Sequence, residues 1–186
     1  MAGAVPGPYL VIVRSFMRLS LLLLVLSPPH AAGAQTAEVR RAAPDFRLPL
    51  LQGGEATLSQ FRGRPIVINF WATWCGPCRT EIPSILAAYA AHHSAGLEVL
   101  AINLTDQEVP REVQPFVTEM RMTFPVLLDE RGRARRSYRL RGVPTTVFVD
   151  TAGVVLLTHT GPITPEALAR GLSLILPDTL NKRESH

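Results

Sequence analysis

Cysteine is nearly absent from this chain: Cys75 and Cys78 are the only two among 186 residues. A multi-bridge disulfide scaffold is therefore excluded, and so is a lipid-modified N-terminal cysteine, because none precedes position 75. A cysteine-rich zinc site is excluded as well. Two further ligands would have to come from His92, His93 or His159, and adjacent histidines on a helix point to different sides, so no metal is expected. Lysine is scarcer still, with Lys182 alone, and the net charge of +4 rests on arginine. Subtracting Arg14 and Arg18 with the N-terminal segment leaves about +2, too little to argue for a nucleic-acid or membrane-surface partner. Beyond that segment the chain has no internal repeat and no low-complexity tract.

Acidic residues are missing altogether from the first 34 positions. Those positions instead carry Arg14 and Arg18, the apolar run Leu19–Leu26, then Ser27-Pro28-Pro29 and Ala32-Gly33-Ala34. Charge, apolar core and small-residue exit are the pattern of a secretory signal. The two arginines interrupt the longer apolar stretch from Tyr9, which argues against a membrane span of about 20 apolar residues. Residues 1–34 are thus expected to be a cleaved signal peptide, with Met17-Arg18 an alternative start. Residues 35–42 are expected as a linker, 43–178 as one folded domain and 179–186 as a flexible tail. Export to the periplasm or the outer face of the cytoplasmic membrane would put the two cysteines where disulfides persist.

Within the domain, Phe46-Arg47-Leu48 and Ala56-Thr57-Leu58 flank the turn signal Gln52-Gly53-Gly54-Glu55 and predict a small hairpin. Pro65–Phe70 and Val99–Leu104 read as buried strands. Between them Ile82, Ile85, Leu86 and Tyr89 recur at helical spacing. Val113, Phe116, Val117 and Met120 predict a second helix. Val126–Leu128, Thr145–Val149 and Val154–Thr158 predict strands, the last two joined by the short link Asp150-Thr151-Ala152-Gly153. Thr164 as N-cap, Pro165 at the first helical position and Pro177 as a stop bracket a final helix. Strands alternating with helices imply an α/β fold with a mostly parallel sheet and an antiparallel pair near its end.

The Cys75-Gly76-Pro77-Cys78 segment falls where the first buried strand gives way to a helix. Two intervening residues at a helix start let two sulfurs approach bonding distance, a redox signature in a βαβ context. Cys75 is expected at the helix N-terminus, where unpaired N–H groups and the macrodipole favour a thiolate. Lowering a thiol pKa from about 8.5 to about 7 raises the thiolate fraction at neutral pH from a few per cent to about half. Cys75 is the predicted nucleophile and Cys78 the resolving thiol; the other reading of the pair is a structural disulfide. Pro77 suits the first turn because its missing N–H would be unpaired there anyway, and Gly76 lets a partner backbone come close. Trp74 is expected to offer an apolar platform to substrates, whereas Trp71 reads as core. The arginines at 131, 133, 135, 136, 139 and 141 read as a solvated face without a role.

The segment Asn69-Phe70-Trp71-Ala72-Thr73-Trp74-Cys75-Gly76-Pro77-Cys78 resembles the active-site segment of the thioredoxin superfamily. With Ala43-Pro44-Asp45-Phe46, Glu81-Ile82-Pro83, Phe124-Pro125-Val126 and Gly142-Val143-Pro144-Thr145-Thr146, it is similar to the exported TlpA/ResA-like branch over nearly all of residues 43–175. The resemblance implies a thioredoxin-like fold: a central mixed sheet flanked by helices, with a short N-terminal hairpin and an extra helix in mid-chain. It implies that Pro144 is a cis-proline beside the dithiol, leaving Val143 to pair with an extended substrate. It implies that Pro83 redirects its helix. Asn69 stands where thioredoxin carries a buried aspartate and cannot take up a proton. Glu81 shares the helical face of Cys78, and the branch carries a glutamate there. Two readings of Glu81 stand side by side, the acceptor of the Cys78 proton and an ordinary first-turn acid complementing the helix dipole.

The function expected is thiol-disulfide exchange without any cofactor beyond the Cys75–Cys78 disulfide: reduction of disulfides in exported proteins, apocytochromes c among them, by a monomer that a membrane-embedded thiol donor re-reduces. Gly-Pro between the cysteines, the dipeptide of reducing thioredoxins, favours that direction. Two alternatives stay open. The Ala-Pro-Asp-Phe opening is shared with peroxiredoxins, although Ala72 stands where their threonine would precede Cys75. The two thiolates could also serve a non-enzymatic Cu(I) carrier.

Overall fold

A computed structural model describes residue 3 and residues 35–176. The signal-peptide expectation for 1–34, the helix stop expected at Pro177, the domain end at 178 and the tail expected at 179–186 lie outside the described residues. No helix among the described residues is long and apolar enough to cross a membrane.

Among the described residues, eight strands and four α-helices follow in the order β1 (Gln35–Ala42), β2 (Arg47–Pro49), β3 (Glu55–Thr57), β4 (Ile66–Trp71), α1 (Gly76–His92), β5 (Glu98–Asn103), α2 (Val113–Glu119), β6 (Val126–Leu128), α3 (Arg133–Ser137), β7 (Thr145–Val149), β8 (Val154–Thr160) and α4 (Pro165–Ile175). Six strands form one sheet in the order β1-β8-β7-β4-β5-β6, and β2–β3 form the expected hairpin. The hairpin is tied to β6 through the Leu50–Leu127 bridge and the bond from Leu51 N to Val126 O at 2.9 Å.

Two expectations need correction. The stretch 35–42 is not a linker but an edge strand antiparallel to β8, with a register shift between Glu38 and Arg41. Its sequence hides this because in Gln-Thr-Ala-Glu-Val-Arg-Arg-Ala only Ala37 and Val39 alternate, too short an apolar pattern to mark a strand. Its pairing uses backbone groups, which every sequence offers. The sheet is also less parallel than expected: only β4–β5 and β5–β6 run parallel, while β4–β7, β7–β8 and β1–β8 are antiparallel. The single long helix after β4 supplies a parallel crossover, whereas the four-residue link after β7 is only long enough to reverse the chain. In that link Asp150 Oδ1 accepts from Ala152 N and Val154 N, and Gly153 takes φ +80°, a conformation that favours glycine.

β4 is buried along its whole length because it lies between β5 and β7 with side chains covering both faces. Its alternation sorts those side chains. Val67 and Trp71 join one core with α1, α2 and α4, and Ile66, Ile68 and Phe70 join the other with the hairpin and Tyr138. Asn69 therefore belongs to the α1 side. α4 has the predicted cap, with Thr164 Oγ1 accepting from Ala167 N at 3.2 Å, and buries Leu168, Leu172 and Ile175.

Where α4 crosses β7, Gly171 makes the close approach possible. A Cβ there would lie 2.2 Å from Cζ of Phe148, a ring with no exposed surface, so ring or helix would have to shift within the core. Gly171→Ala is expected to destabilise the fold by about 1–3 kcal/mol despite alanine's better helix propensity. Chemical denaturation would check this, and an unchanged midpoint would refute the packing argument.

Candidate active site

The chain leaves β4 at Trp71, turns through Ala72–Trp74 and enters α1 at the cysteines. Cys75 is the N-cap of α1, in extended backbone conformation, with Pro77 in the first turn. The two cysteines are disulfide-bonded, their Cα atoms 5.3 Å apart. Cys75 Sγ also accepts from Cys78 N at 3.2 Å, so a helix N–H already points at the sulfur that would carry charge after reduction. No acid occupies the first turn to oppose that charge. Cys75 is 4% exposed, whereas Cys78 has no exposed surface. Of the two sulfur residues only Cys75 presents any surface to an incoming disulfide.

One turn further on, Glu81 is 2% exposed. Its Oε1 accepts from Asn69 Nδ2 at 2.7 Å and its Oε2 from Ile163 N at 2.8 Å, while Asn69 Nδ2 also donates to Thr146 Oγ1 at 3.1 Å. Both donors favour the carboxylate, but burial favours the neutral acid more strongly and pushes the pKa from 4.5 up to about 7. A group balanced there can take or give a proton at neutral pH. Because α1 starts at Gly76, Glu81 lies beyond the first turn, and the reading of it as a first-turn acid complementing the helix dipole falls away.

The Asn69–Glu81 bond was not foreseen. Its signal was present, since a polar residue in the apolar run Ile66–Trp71 must find a partner when buried, and strand alternation turns it toward α1. Thr146 and the Ile163 amide lie 77 and 82 residues from their partners and could not be read from any local pattern.

Trp74 is 58% exposed, with its indole N–H donating to Gln107 O at 3.2 Å. Trp71 is fully buried and stacks on Phe116 with ring centroids 4.8 Å apart. The Val143–Pro144 bond is cis. Pro144 directly precedes Thr145, which pairs with Phe70, so the register carries Val143 and Pro144 to the end of β4 from which the cysteine turn departs. Gly76 would accept a Cβ without contact, so its role is not forced by packing. Pro83 lies inside α1, which continues through it to His92. The arginines beyond Gly132 are partly engaged: Arg135 pairs with Asp106 at 3.1 Å and Arg136 donates to Arg131 O at 2.8 Å.

Comparison with known proteins follows the same lines. The AhpC/TSA family matches residues 39–157. Thiol-disulfide oxidoreductase ResA of Geobacillus kaustophilus (strain HTA426) is 34% identical over 171 residues, which is 88% of this chain and 97% of that protein. Among solved structures, the Chlorobium tepidum protein assigned as thiol:disulfide interchange protein DsbE superposes with a TM-score of 0.68 at 33% identity, covering 74% of this chain and 96% of its own. StoA from Bacillus subtilis superposes with a TM-score of 0.61 at 28% identity, covering 69% and 96%.

Proposed function

The chain belongs to the AhpC/TSA family and is a thiol-disulfide oxidoreductase of the ResA/StoA/DsbE type, and from that premise we propose that it works outside the cytoplasm as a reductase of disulfides in exported proteins. The observation that carries the direction of attack is the asymmetry of the pair: Cys75 at the helix N-terminus with some exposure, Cys78 with none.

In the reduced protein the Cys75 thiolate attacks one sulfur of a client disulfide. A Cys75–client bond forms, the client disulfide breaks, and one client sulfur leaves as thiolate. Cys78 then gives its proton to the Glu81 carboxylate and attacks Cys75 Sγ, forming Cys75–Cys78 and releasing the second client thiolate. Two electrons have passed to the client. A two-electron thiol donor, embedded in the membrane, returns them. Val143 and Pro144, with Trp74, Gly76 and Pro77, would flank the mixed disulfide. Apocytochromes c awaiting haem attachment are fitting clients because that chemistry needs free thiols. The protein acts in this scheme as a monomer without a metal or organic cofactor. The acid-free N-terminal segment with its apolar run supports export.

The Ala43-Pro44-Asp45-Phe46 opening shared with peroxiredoxins raises peroxide as a second substrate, so the test runs the two side by side. Reduced protein mixed with a disulfide-bonded peptide is expected to become oxidised with one peptide disulfide opened per chain, while hydrogen peroxide consumes its thiols no faster than an ordinary thiol of the same pKa. Faster oxidation by peroxide than by peptide would overturn the reading.

A further inference from the structure

Outside the cysteine turn, the loop that follows β5 makes bonds the scheme above does not use. Glu108 reaches across from that loop and accepts from three donors. Its Oε2 takes Thr73 N at 3.0 Å and the Thr73 hydroxyl, and its Oε1 takes the Asn103 side-chain amide. Asn103 is the last residue of β5, fully buried, and its Oδ1 in turn accepts from Thr105 Oγ1 at 2.7 Å. A single carboxylate therefore joins the end of a core strand to the residue two places before Cys75. In a turn that belongs to neither sheet nor helix, it supplies the acceptor that the Thr73 N–H would otherwise lack.

The same loop holds the neighbouring indole. Gln107, adjacent to Glu108, lends its carbonyl to Trp74 Nε1, and Gln107 N is itself fixed to Leu104 O at 2.8 Å. Leu104 N closes the connection by donating to Trp71 O at 3.0 Å. Trp74 and Val109 are two of the three large apolar residues exposed among the described residues, and both line one groove of about 680 Å3 beginning beside the cysteine turn. The indole of Trp74 is thus bonded to this loop.

We propose that Glu108 is a positioning residue for thiol-disulfide exchange: by tying Thr73 to Asn103 it holds the Thr73-Trp74-Cys75 turn so that Cys75 Sγ stays on the Cys78 N–H and Trp74 stays on Gln107. This rests on the exchange chemistry proposed above for the same site. Glutamine at 108 keeps the shape but replaces one acceptor by a donor. It can serve Thr73 or Asn103 but not both, and one contact becomes donor against donor.

The experiment measures Glu108→Gln, Glu108→Ala and Thr73→Val in three ways: the rate at which dithiothreitol opens Cys75–Cys78, the rate at which reduced protein attacks a disulfide-bonded peptide, and tryptophan emission in both redox states. Trp74→Phe assigns the emission. Glu108→Gln is expected to slow both exchange rates about tenfold or more, since small misplacements of a reacting group cost that much. It is also expected to red-shift the Trp74 emission as the indole leaves the Gln107 carbonyl. Thr73→Val, which keeps the N–H but loses the hydroxyl, should lie between it and wild type. Rates within about twofold of wild type with unchanged emission, even alongside a lowered unfolding midpoint, would reduce Glu108 to a purely structural residue and overturn the proposal. If Glu108→Ala does not fold, Glu108→Gln and Thr73→Val decide the matter. A wild-type protein that reacts with dithiothreitol but with no peptide would sink the proposed function alone, because the dithiothreitol rate and the emission still report on Glu108.

Discussion

Cys78→Ser is expected to turn the protein from a turnover reductant into a trap. Cys75 keeps its N-cap position and the Cys78 backbone N–H that bonds its sulfur is unaffected by the side-chain change, so attack on a client disulfide proceeds. The resolving thiol is gone, and the mixed disulfide persists until an outside thiol cleaves it. Multiple-turnover reduction of a peptide disulfide should fall by roughly 10³-fold or more, the scale of losing a nucleophile outright. Exported proteins should accumulate on Cys75, where non-reducing electrophoresis and mass spectrometry would identify them. Cys75→Ser should lose turnover to the same degree without trapping anything, because Cys78 has no exposed surface. Clients captured on Cys78 in that variant, with none on Cys75 in its counterpart, would reverse the order of attack.

Glu81→Gln should act on stability and rate through one proton. The carboxyl pKa is 4.5 in an open environment and about 7 in the folded protein, so between those values the folded state holds more proton than the unfolded state. Stability therefore falls as pH rises through that window, and the loss from this group reaches about 3 kcal/mol above pH 7. Glutamine has no such proton. Relative to wild type, the variant should gain about 3 kcal/mol between pH 4 and pH 8, read as a growing difference in denaturant midpoints of the oxidised proteins. The resolving step, followed by stopped flow, should slow by roughly 10²-fold or more and lose its inflection near pH 7. A pH-independent difference in midpoints would refute the burial argument. An unchanged resolving rate would refute the acceptor role.

These outcomes draw on residues of two kinds. The dithiol, its place at a strand-to-helix junction, the hairpin, and the N-cap of α4 were legible because each is a local pattern: two residues between sulfurs, alternation in a strand, a Thr-Pro at a helix start. β4 was foreseen at 65–70 and lies at Ile66–Trp71 for the same reason, since a central strand must be apolar on both faces. β1 was missed because an edge strand held by backbone pairing needs no such pattern. Trp71 and Trp74 were told apart correctly as core and surface, but the partner of the Trp74 indole, 33 residues away, was not.

By itself the amino-acid sequence determined which atoms could do the chemistry, because nucleophile, resolving thiol and candidate proton acceptor fall within seven residues of one helix start, Cys75 to Glu81. Only the tertiary structure decided how they are held. Asn69 and Ile163 bind the Glu81 carboxylate, burial raises its pKa, and Glu108 pins the turn ahead of Cys75. The physical reason is distance along the chain. A hydrogen bond between residues 12, 35 or 82 positions apart depends on strand register and on which face of the sheet a helix covers, and no local periodicity encodes either.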